Sequence, residues 1–256
     1  MGGYPGGPSG PSRRTNRNKW IAGATVVVTL IVIISLVAVF WPTSNKNDEA
    51  TRPAPTASAQ QLLIGQADFP TLDGGKFSTS ASNDSGVKST SSTPECKKFM
   101  NDDNSSVDQY SASLDASDSA SSTDTSYNAN VEKTIDPDDG TNFANILSTC
   151  ASFDATLTDP DGTQFAGQVT MTRLSVDGVE GRYNGVEIKI ALHQTDDPSA
   201  TVYITERVLT AISRSVSYDM DYIMTSPNDR PTPDPDANSN LVSMLNKQRQ
   251  RILNAN

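Results

Sequence analysis

Apolar and polar residues alternate with a period of two along the C-terminal half of the chain. The segments 184–193, 201–212 and 215–224 carry apolar side chains mostly at every second position. Those positions are Val186, Ile188, Ile190, Leu192, Val202, Ile204, Val208, Ile212, Val216, Tyr218, Met220, Tyr222 and Met224. One-sided alternation is typical of antiparallel strands that pack one face against a core. These segments therefore predict an antiparallel sheet with one covered face.

Two other segments have the spacing of helices. In 142–153 and in 239–256 the apolar residues recur at steps of three and four, which places them on one helix face. They are Phe143, Ile146, Leu147 and Cys150 in the first segment, and Leu241, Met244, Leu245 and Ile252 in the second. Helices against one sheet face predict an α+β fold, a two-layer sandwich. We expect the C-terminal helix to cover the face carrying Ile188 and Tyr218.

The Ser-rich segment 78–128 is the least regular part of the predicted domain. We expect residues 78–93 and parts of 102–122 to form loops, anchored by Cys96 within the segment. At its end Tyr127, Ala129 and Val131 alternate with polar residues, which predicts a strand at the sheet edge.

An uncharged apolar segment, residues 20–41, lies near the N-terminus. A helix of this length spans roughly 30 Å, the thickness of the hydrocarbon core of a bilayer. Trp20 and Trp41 bracket the segment where aromatic residues favour membrane interfaces, and no cleavage site of the A-x-A type follows it. The pattern predicts a single transmembrane helix that precedes the folded domain.

Charge predicts the orientation of this helix. Residues 1–19 contain four basic residues and no acidic one, whereas Asp48 and Glu49 follow the span. By the positive-inside rule, 1–19 form a disordered cytoplasmic tail, 42–57 a Pro/Thr-rich linker, and 58–256 an extracytoplasmic domain. The predicted location is the cell membrane, with a single span and the C-terminal domain outside.

The net charge narrows the range of partners. The whole chain has a formal charge of −10, and the part after Trp41 holds 16 basic against 30 acidic residues, a net charge of −14. A strongly acidic domain repels nucleic acid and anionic lipid headgroups. We therefore expect no nucleic-acid partner.

The two cysteines, Cys96 and Cys150, could act as a nucleophile, as metal ligands or as a covalent staple. His193 is the single histidine, so a tetrahedral zinc site lacks donors and a catalytic cysteine has one candidate base. Outside the cytoplasmic membrane, two cysteines in one domain favour a disulfide. Closing a loop of about 55 residues stabilises a fold by about 4 kcal/mol in the chain-entropy model.

Other motifs add no chemistry. Ser85 to Lys88 matches S-x-x-K, but the companion motifs of penicillin-binding enzymes are absent from the sequence. The Asp-rich segments 136–143 and 159–165 contain carboxylates beside glycine, a composition that suits calcium or an ordinary turn, and the turn is the better fit. We predict no catalytic residue, no metal site and no cofactor.

The order of elements resembles a known family. QQLLIGQADFP (60–70), a first cysteine, a helix ending in CASF, four antiparallel strands and a C-terminal helix are similar to the actinobacterial extracytoplasmic sensor-domain family, which includes the PknH-like extracellular sensor domain and related lipoproteins. The resemblance covers residues 58–256. It implies a disulfide-pinned α+β domain with a cleft that binds an envelope ligand. Unlike the kinases of that family, this chain has no kinase domain.

These observations predict a non-enzymatic, single-pass envelope protein whose outer domain binds a ligand or a partner. A structural or assembly scaffold for an envelope complex is the alternative, and an envelope hydrolase has less support because no nucleophile–base pair is visible. The resemblance and an apolar groove beside the C-terminal helix suggest a lipid or glycolipid ligand, or a membrane-protein partner. The candidate cleft lining is Ile188, Ile190, Tyr203, Arg207, Tyr218, Tyr222 and Leu245.

Overall fold

The structure is a computed structural model that describes residues 52–81, 88–99, 108–133, 143–159, 161–227 and 229–256. The predicted cytoplasmic tail, the predicted span 20–41 and the linker up to residue 51 lie outside these residues. Within the described part of the chain, no helix is both long enough and apolar enough to cross a membrane.

Nine antiparallel strands form one sheet. They are β1 (Lys76–Ser80), β2 (Lys88–Ser91), β3 (Gln109–Asp118), β4 (Thr123–Glu132), β5 (Ser152–Thr158), β6 (Gln164–Arg173), β7 (Tyr183–Gln194), β8 (Asp197–Ser213) and β9 (Val216–Ser226). Their order across the sheet is β1-β3-β4-β9-β8-β7-β6-β5-β2. Consecutive strands from β5 to β9 are neighbours, as in a meander, and β4 then pairs with β9.

Among the described residues, three α-helices accompany the sheet: α1 (Ala59–Leu62), α2 (Phe143–Thr149) and α3 (Ala237–Asn254). Short 3-10 helices at Gln66–Asp68 and Pro94–Phe99 precede β1 and follow β2. Ser58 caps α1: its side chain accepts a hydrogen bond from the Gln61 backbone N–H, and its own N–H donates one to the Gln61 side-chain oxygen.

The sheet cannot be flat. Strands β1 and β2 are its two edges, yet only eight Cα–Cα steps separate Ser80 from Lys88. Eight steps of 3.8 Å span at most about 30 Å. Eight spacings of about 4.8 Å would put the edges of a flat sheet about 38 Å apart. The covalent chain therefore requires a curled sheet.

The two faces of the sheet carry different cores. We call face A the one that carries Ile188 and face B the one that carries Tyr218. Ile188 lies opposite Glu206 on β8, while Tyr218 lies opposite Ala211 on the same strand. Because side chains alternate along a strand, even-numbered β8 residues point to face A and odd-numbered ones to face B.

The core on face A surrounds the predicted disulfide. Cys96 and Cys150 are bonded at 2.06 Å across a sequence separation of 54, which confirms the staple. Both are buried, together with Phe143 and Ile146 of α2. The apolar rows of the strands complete this core: Phe153, Leu157, Phe165, Val169, Met171, Val186, Ile188, Ile190, Leu192, Val202, Ile204 and Val208.

The core on face B lies under α3. Its helix residues Leu241, Met244, Leu245 and Ile252 are buried, as predicted from their spacing. They pack with α1 and with the apolar rows of β3, β4, β8 and β9: Ala112, Leu114, Tyr127, Ala129, Val131, Leu209, Ala211, Val216, Tyr218, Met220 and Tyr222.

The predicted α+β two-layer sandwich is wrong. Helices α1 and α3 pack on face B over one half of the sheet, whereas the short helix α2 packs on face A near β6. On face B of the other half, Asp154 and His193 are exposed. The helices therefore do not form a covering layer, and the fold is mostly one large antiparallel sheet. The prediction failed because apolar rows on opposite faces were assigned to one face.

The Ser-rich segment contributes more strand than predicted. Strands β2 and β3 lie within it, together with the end of β1 and the first half of β4. Tyr127, Ala129 and Val131 belong to β4, which lies between β3 and β9 and is not an edge strand. Their alternation is that of an interior strand, with Tyr127 contacting Tyr222 at a centroid distance of 5.0 Å.

Arg214 joins the two ends of the described domain. It and Ser215 form the β8–β9 turn with φ of 50° and 60°, a left-handed backbone that hairpin turns of this length require. The Arg214 guanidinium donates hydrogen bonds to the carbonyl oxygens of Pro53 at 3.0 Å and of Ile252 at 3.1 Å. A cation here also suits the negative end of the α3 dipole.

We expect the disulfide to be present in the cell and to stabilise the domain. A non-reducing peptide map from cells lysed in an alkylating reagent should join Cys96 to Cys150. Cys150→Ser should lower the free energy of unfolding by about 2–5 kcal/mol, as is typical when a native disulfide is removed. Recovery of both cysteines as alkylated thiols would contradict the prediction.

Among the polar residues of α3, Gln248 should be the one whose substitution lowers the free energy of unfolding most. Its fully buried amide accepts a hydrogen bond from the Ile64 N–H at 3.0 Å and donates one to the Leu62 carbonyl at 2.8 Å. Gln248→Met would orphan both backbone groups and should cost about 2–4 kcal/mol of stability, measured by urea unfolding. The matched control is Gln250→Met, since Gln250 is exposed; an equal loss in both variants would refute the assignment.

Candidate functional site

The structure divides the seven residues of the predicted cleft lining between the two faces. Ile188 and Ile190 are buried in the face A core, whereas Tyr218, Tyr222 and Leu245 are buried in the face B core. Tyr203 and Arg207 lie on face B and are partly exposed. The set therefore cannot line one groove between the sheet and α3.

Arg207 instead joins the sheet to the start of α3. Its guanidinium donates hydrogen bonds to Glu187 at 3.0 Å and to Asn238 at 3.1 Å. Partial burial raises the pKa of Glu187, but hydrogen bonds and charges from Lys189 and Arg207 outweigh it, so that the net pKa is lowered. These side chains supply one another with hydrogen-bond partners and opposite charges, which is typical of a structural contact.

A different cluster of polar residues lies on face A of β4, β8 and β9. We call it the acid cluster, and its members are Asn128, Asn130, Glu206, Ser217, Asp219 and Asp221. Register brings them together: Asn128 lies opposite Asp221, Asn130 opposite Asp219, and Glu206 opposite Ile223, the neighbour of Asp221 on the same face. All six are buried, and Glu206, Asp219 and Asp221 are 0% exposed.

Asn130 holds the two aspartates together. Its side-chain Nδ2 donates to Asp219 Oδ2 at 2.7 Å and lies 3.4 Å from Asp221 Oδ2. The interaction between the two carboxyl groups raises the pKa of Asp221 and opposes the rise in the pKa of Asp219. Two acids at adjacent positions of one strand face cannot both ionise easily, since like charges in a buried site repel.

Polar contacts continue from the acid cluster to the β1 edge of the sheet. The Ser126 hydroxyl donates to Asp115 at 2.6 Å and lies 3.1 Å from Asn128 Oδ1. Ser113 also donates to Asp115, at 2.8 Å, and contacts Ser78 of β1 at the same distance. Face A thus has an apolar half under the disulfide and a polar half that runs from β8 to β1.

Many polar atoms of the acid cluster lack a hydrogen-bond partner within the described part of the protein. Seven buried side-chain atoms among the described residues have no hydrogen-bond partner, and all seven belong to this cluster. They are Asn128 Nδ2, Asn130 Oδ1, both carboxylate oxygens of Glu206, Ser217 Oγ, Asp219 Oδ1 and Asp221 Oδ1. Native proteins pair the large majority of such atoms, so their concentration at one place makes the acid cluster the candidate functional site.

Burial perturbs all three acids in the same direction. Burial, and to a lesser extent the charge of Glu132, raises the pKa of Asp219 to about 8 against the hydrogen bonds with Asn130 and Asp221, which lower it. Burial, then the charge of Asp219, raises the pKa of Glu206 well above its usual range. The same two causes, with Glu206 added, raise the pKa of Asp221. The cluster therefore holds protons at neutral pH.

The arrangement does not suit a metal ion. Within the described ranges, no group of three or more His, Cys, Asp or Glu side chains is arranged to hold one. The Asn130 amide nitrogen, a donor, occupies the space between the two aspartates. The Asp-rich segment at 159–165 forms a turn, in which the Thr163 N–H donates to Asp159 Oδ1 at 2.7 Å; most of the segment 136–143 lies outside the described residues.

Sequence reasoning missed the acid cluster because it treated the strands as one-sided. Asp219 and Asp221 alternate with Tyr218, Met220 and Tyr222, which is the pattern of a strand with one face in water. The sequence did contain an indication of a buried polar cluster, at Glu206. It interrupts the apolar row between Ile204 and Val208, at a position that points to the core.

Comparison with known proteins adds little. The chain matches no protein-family model and no curated protein. Among solved structures, it is similar to an uncharacterized protein from Mycobacterium smegmatis, the Rv0999 ortholog, at 14% identity and a TM-score of 0.33. That match covers 70% of this chain and 88% of the other. A TM-score this low supports no argument about function.

The acid cluster predicts a pH dependence of stability. A folded-state pKa raised above its unfolded value contributes stability below the unfolded pKa, and that stability is lost as pH rises through the folded pKa. For Asp219 this window runs from 3.8 to about 8. The free energy of unfolding should fall across it by up to about 1.4 kcal/mol per pH unit for each group.

Urea unfolding at a series of pH values tests this expectation. Asp221→Asn should flatten the slope and stabilise the protein at the upper end of the window, because the amide cannot ionise. Asp154→Asn, on the exposed side of β5, is the matched control and should leave the slope unchanged. A wild-type stability that rises with pH over the window would contradict the prediction.

Proposed function

We propose that the chain is a non-enzymatic, extracytoplasmic binding protein of the cell envelope, and that the acid cluster is its ligand site. The observation that carries the proposal is the set of seven unpartnered atoms on face A. Each such atom costs about 1–3 kcal/mol when buried. Together they would rival the net stability of a domain, about 5–15 kcal/mol, so a bound ligand that pairs with them has a large free energy to recover.

The extracytoplasmic location is supported by the disulfide, since oxidising compartments favour such bonds. The apolar segment 20–41 and the basic residues before it stay a prediction of a single membrane span. Under this proposal the linker that follows tethers the domain to the outer side of the membrane, and any signal would pass through a membrane-protein partner.

The resemblance to PknH-like sensor domains suggests a sensor role. In that role the acid cluster, not an apolar groove beside α3, would recognise the ligand. A lipid tail has nothing to offer seven polar atoms, whereas the headgroup of a glycolipid could supply hydrogen-bond donors. We therefore favour a polar small molecule or headgroup as the ligand.

Native mass spectrometry of the full-length protein, extracted from its own membrane, tests the proposal. We expect the wild-type protein to retain a small molecule that Glu206→Gln and Asp221→Asn release, because both changes remove acceptors at the site. Asp154→Asn should retain it. A wild-type protein with no bound molecule, or one whose ligand survives both changes, would refute the proposal; retention of a protein subunit instead would favour the scaffold.

A further inference from the structure

We propose that the ligand of the acid cluster carries a protonated primary amine, which enters among Glu206, Asp219 and Asp221. This inference rests on the proposed function and names the chemical class of the ligand. It follows from the balance of donors and acceptors, from the charges around the site, and from the arrangement of the Asn130 amide.

With the three acids ionised, as they are in an ion pair with a cation, the unpartnered atoms are mostly acceptors. Glu206 offers two carboxylate oxygens, and Asp219, Asp221 and Asn130 offer one oxygen each. Against these five acceptors stand one pure donor, Asn128 Nδ2, and one hydroxyl, Ser217 Oγ. A ligand that completes the site must therefore bring several donors to one place. An alkylammonium group brings three N–H donors on a single atom.

The charges around the site have one sign. On face A the charged residues of β4, β8 and β9 are all acids: Asp124, Glu132, Glu206, Asp219 and Asp221. The next strand, β3, adds Asp115. Lys76 of β1 lies opposite Asp115 and is exposed, at the far edge of the polar half. A cationic group is thus the complement that the described strands lack near the acid cluster.

Buried, independent side chains support a ligand here beyond the acidic residues themselves. Asn128 is 4% exposed and lies opposite Asp221, with its Nδ2 unpartnered. Ser217 is 0% exposed with its hydroxyl unpartnered. Neither side chain carries a charge, so mutual repulsion among the acids does not account for their lack of partners. Both are placed to contact the polar part of a molecule bound beside the carboxyl groups.

An organic amine suits the cluster better than a metal ion does. A hard cation needs several convergent oxygens, and no three acids of the described residues converge in that way. The Asn130 amide nitrogen already donates to Asp219 Oδ2 at 2.7 Å. The Oδ1 atoms of Asp219 and Asp221 and both Glu206 oxygens have no hydrogen-bond partner, and these are the acceptors that we expect the N–H donors of the amine to use.

Binding of an amine must release protons. Carboxyl groups that hold a proton before binding become charged acceptors when an alkylammonium pairs with them, so R-NH3+ and a carboxylic acid give an ion pair and one free H+. The amine itself keeps its protons, since aliphatic amines titrate at about pH 10. Affinity should therefore increase with pH, in contrast to a ligand that binds only through hydroxyl groups.

Isothermal titration of the full-length protein tests the inference with putrescine as the probe and tetramethylammonium as the control. The two cations share the charged nitrogen, but tetramethylammonium has no N–H donor. We expect putrescine to bind, to bind more tightly at about pH 8 than at about pH 6, and to show a heat that depends on the ionisation enthalpy of the buffer. We expect at least about tenfold weaker binding of tetramethylammonium.

Variants separate the site from general attraction to an acidic protein. Glu206→Gln and Asp221→Asn should each weaken putrescine binding at least about tenfold, while Asp154→Asn removes the same charge and should not. Equal binding of the two cations, equal effects of all three variants, binding of Ca2+ without binding of putrescine, or no binding at either pH would overturn the inference. If native mass spectrometry shows a retained molecule without an amine, the proposed function stands and this inference falls.

Discussion

A short covalent connection constrains the whole sheet. The two edge strands β1 and β2 are eight Cα–Cα steps apart in sequence, and seven strands lie between them in the sheet. A sheet that curls to meet this limit partly encloses one of its own faces, as barrels do. Three features are linked: the curl of the sheet, the placement of helices on both of its faces, and the burial of β9 on both sides. A flat two-layer sandwich would have none of these features.

Within that sheet, β9 divides two kinds of chemistry. Its even-numbered residues, Tyr218, Met220 and Tyr222, build the core under α3, while its odd-numbered residues place Asp219 and Asp221 on the opposite side. Burial of aromatic rings stabilises the domain, and burial of carboxyl groups opposes that stability unless protons or a ligand offset it. One strand therefore ties the stability of the fold to the protonation of the acid cluster.

Much of the secondary structure could be predicted from local patterns. The periodicity of two identified β7, β8 and β9, the helical spacing identified α2 and α3, and the count of cysteines identified the disulfide. Local patterns do not contain the register between strands, however. Whether Ile188 and Tyr218 share a face depends on which β8 residues they oppose, and this pairing is a property of the folded sheet.

The acid cluster escaped prediction for a related reason. Asp219 and Asp221 have the same local pattern in a half-exposed strand as in an interior one, and only the position of β9 in the sheet distinguishes the two. The Ser-rich composition of 78–128 likewise favoured loops, although Ser113 and Ser126 pair with Asp115 within a regular sheet. Composition describes solubility well, but pairing partners decide whether a polar strand is ordered.

The contacts of Arg214 have a mechanical consequence. Because its guanidinium binds the Pro53 carbonyl together with the last turn of α3, a pull on the chain ahead of Arg52 acts first on that helix end. The hydrogen bond from the Thr56 N–H to the Asn256 carbonyl oxygen, at 2.8 Å, would carry part of the same load. Along the chain, α1 and the segment around Leu62 and Ile64, whose backbone Gln248 binds, lie between Pro53 and the edge strand β1. We therefore expect a pull on the N-terminal end of the described domain to load these side-chain and backbone bonds before it loads the nine-stranded sheet.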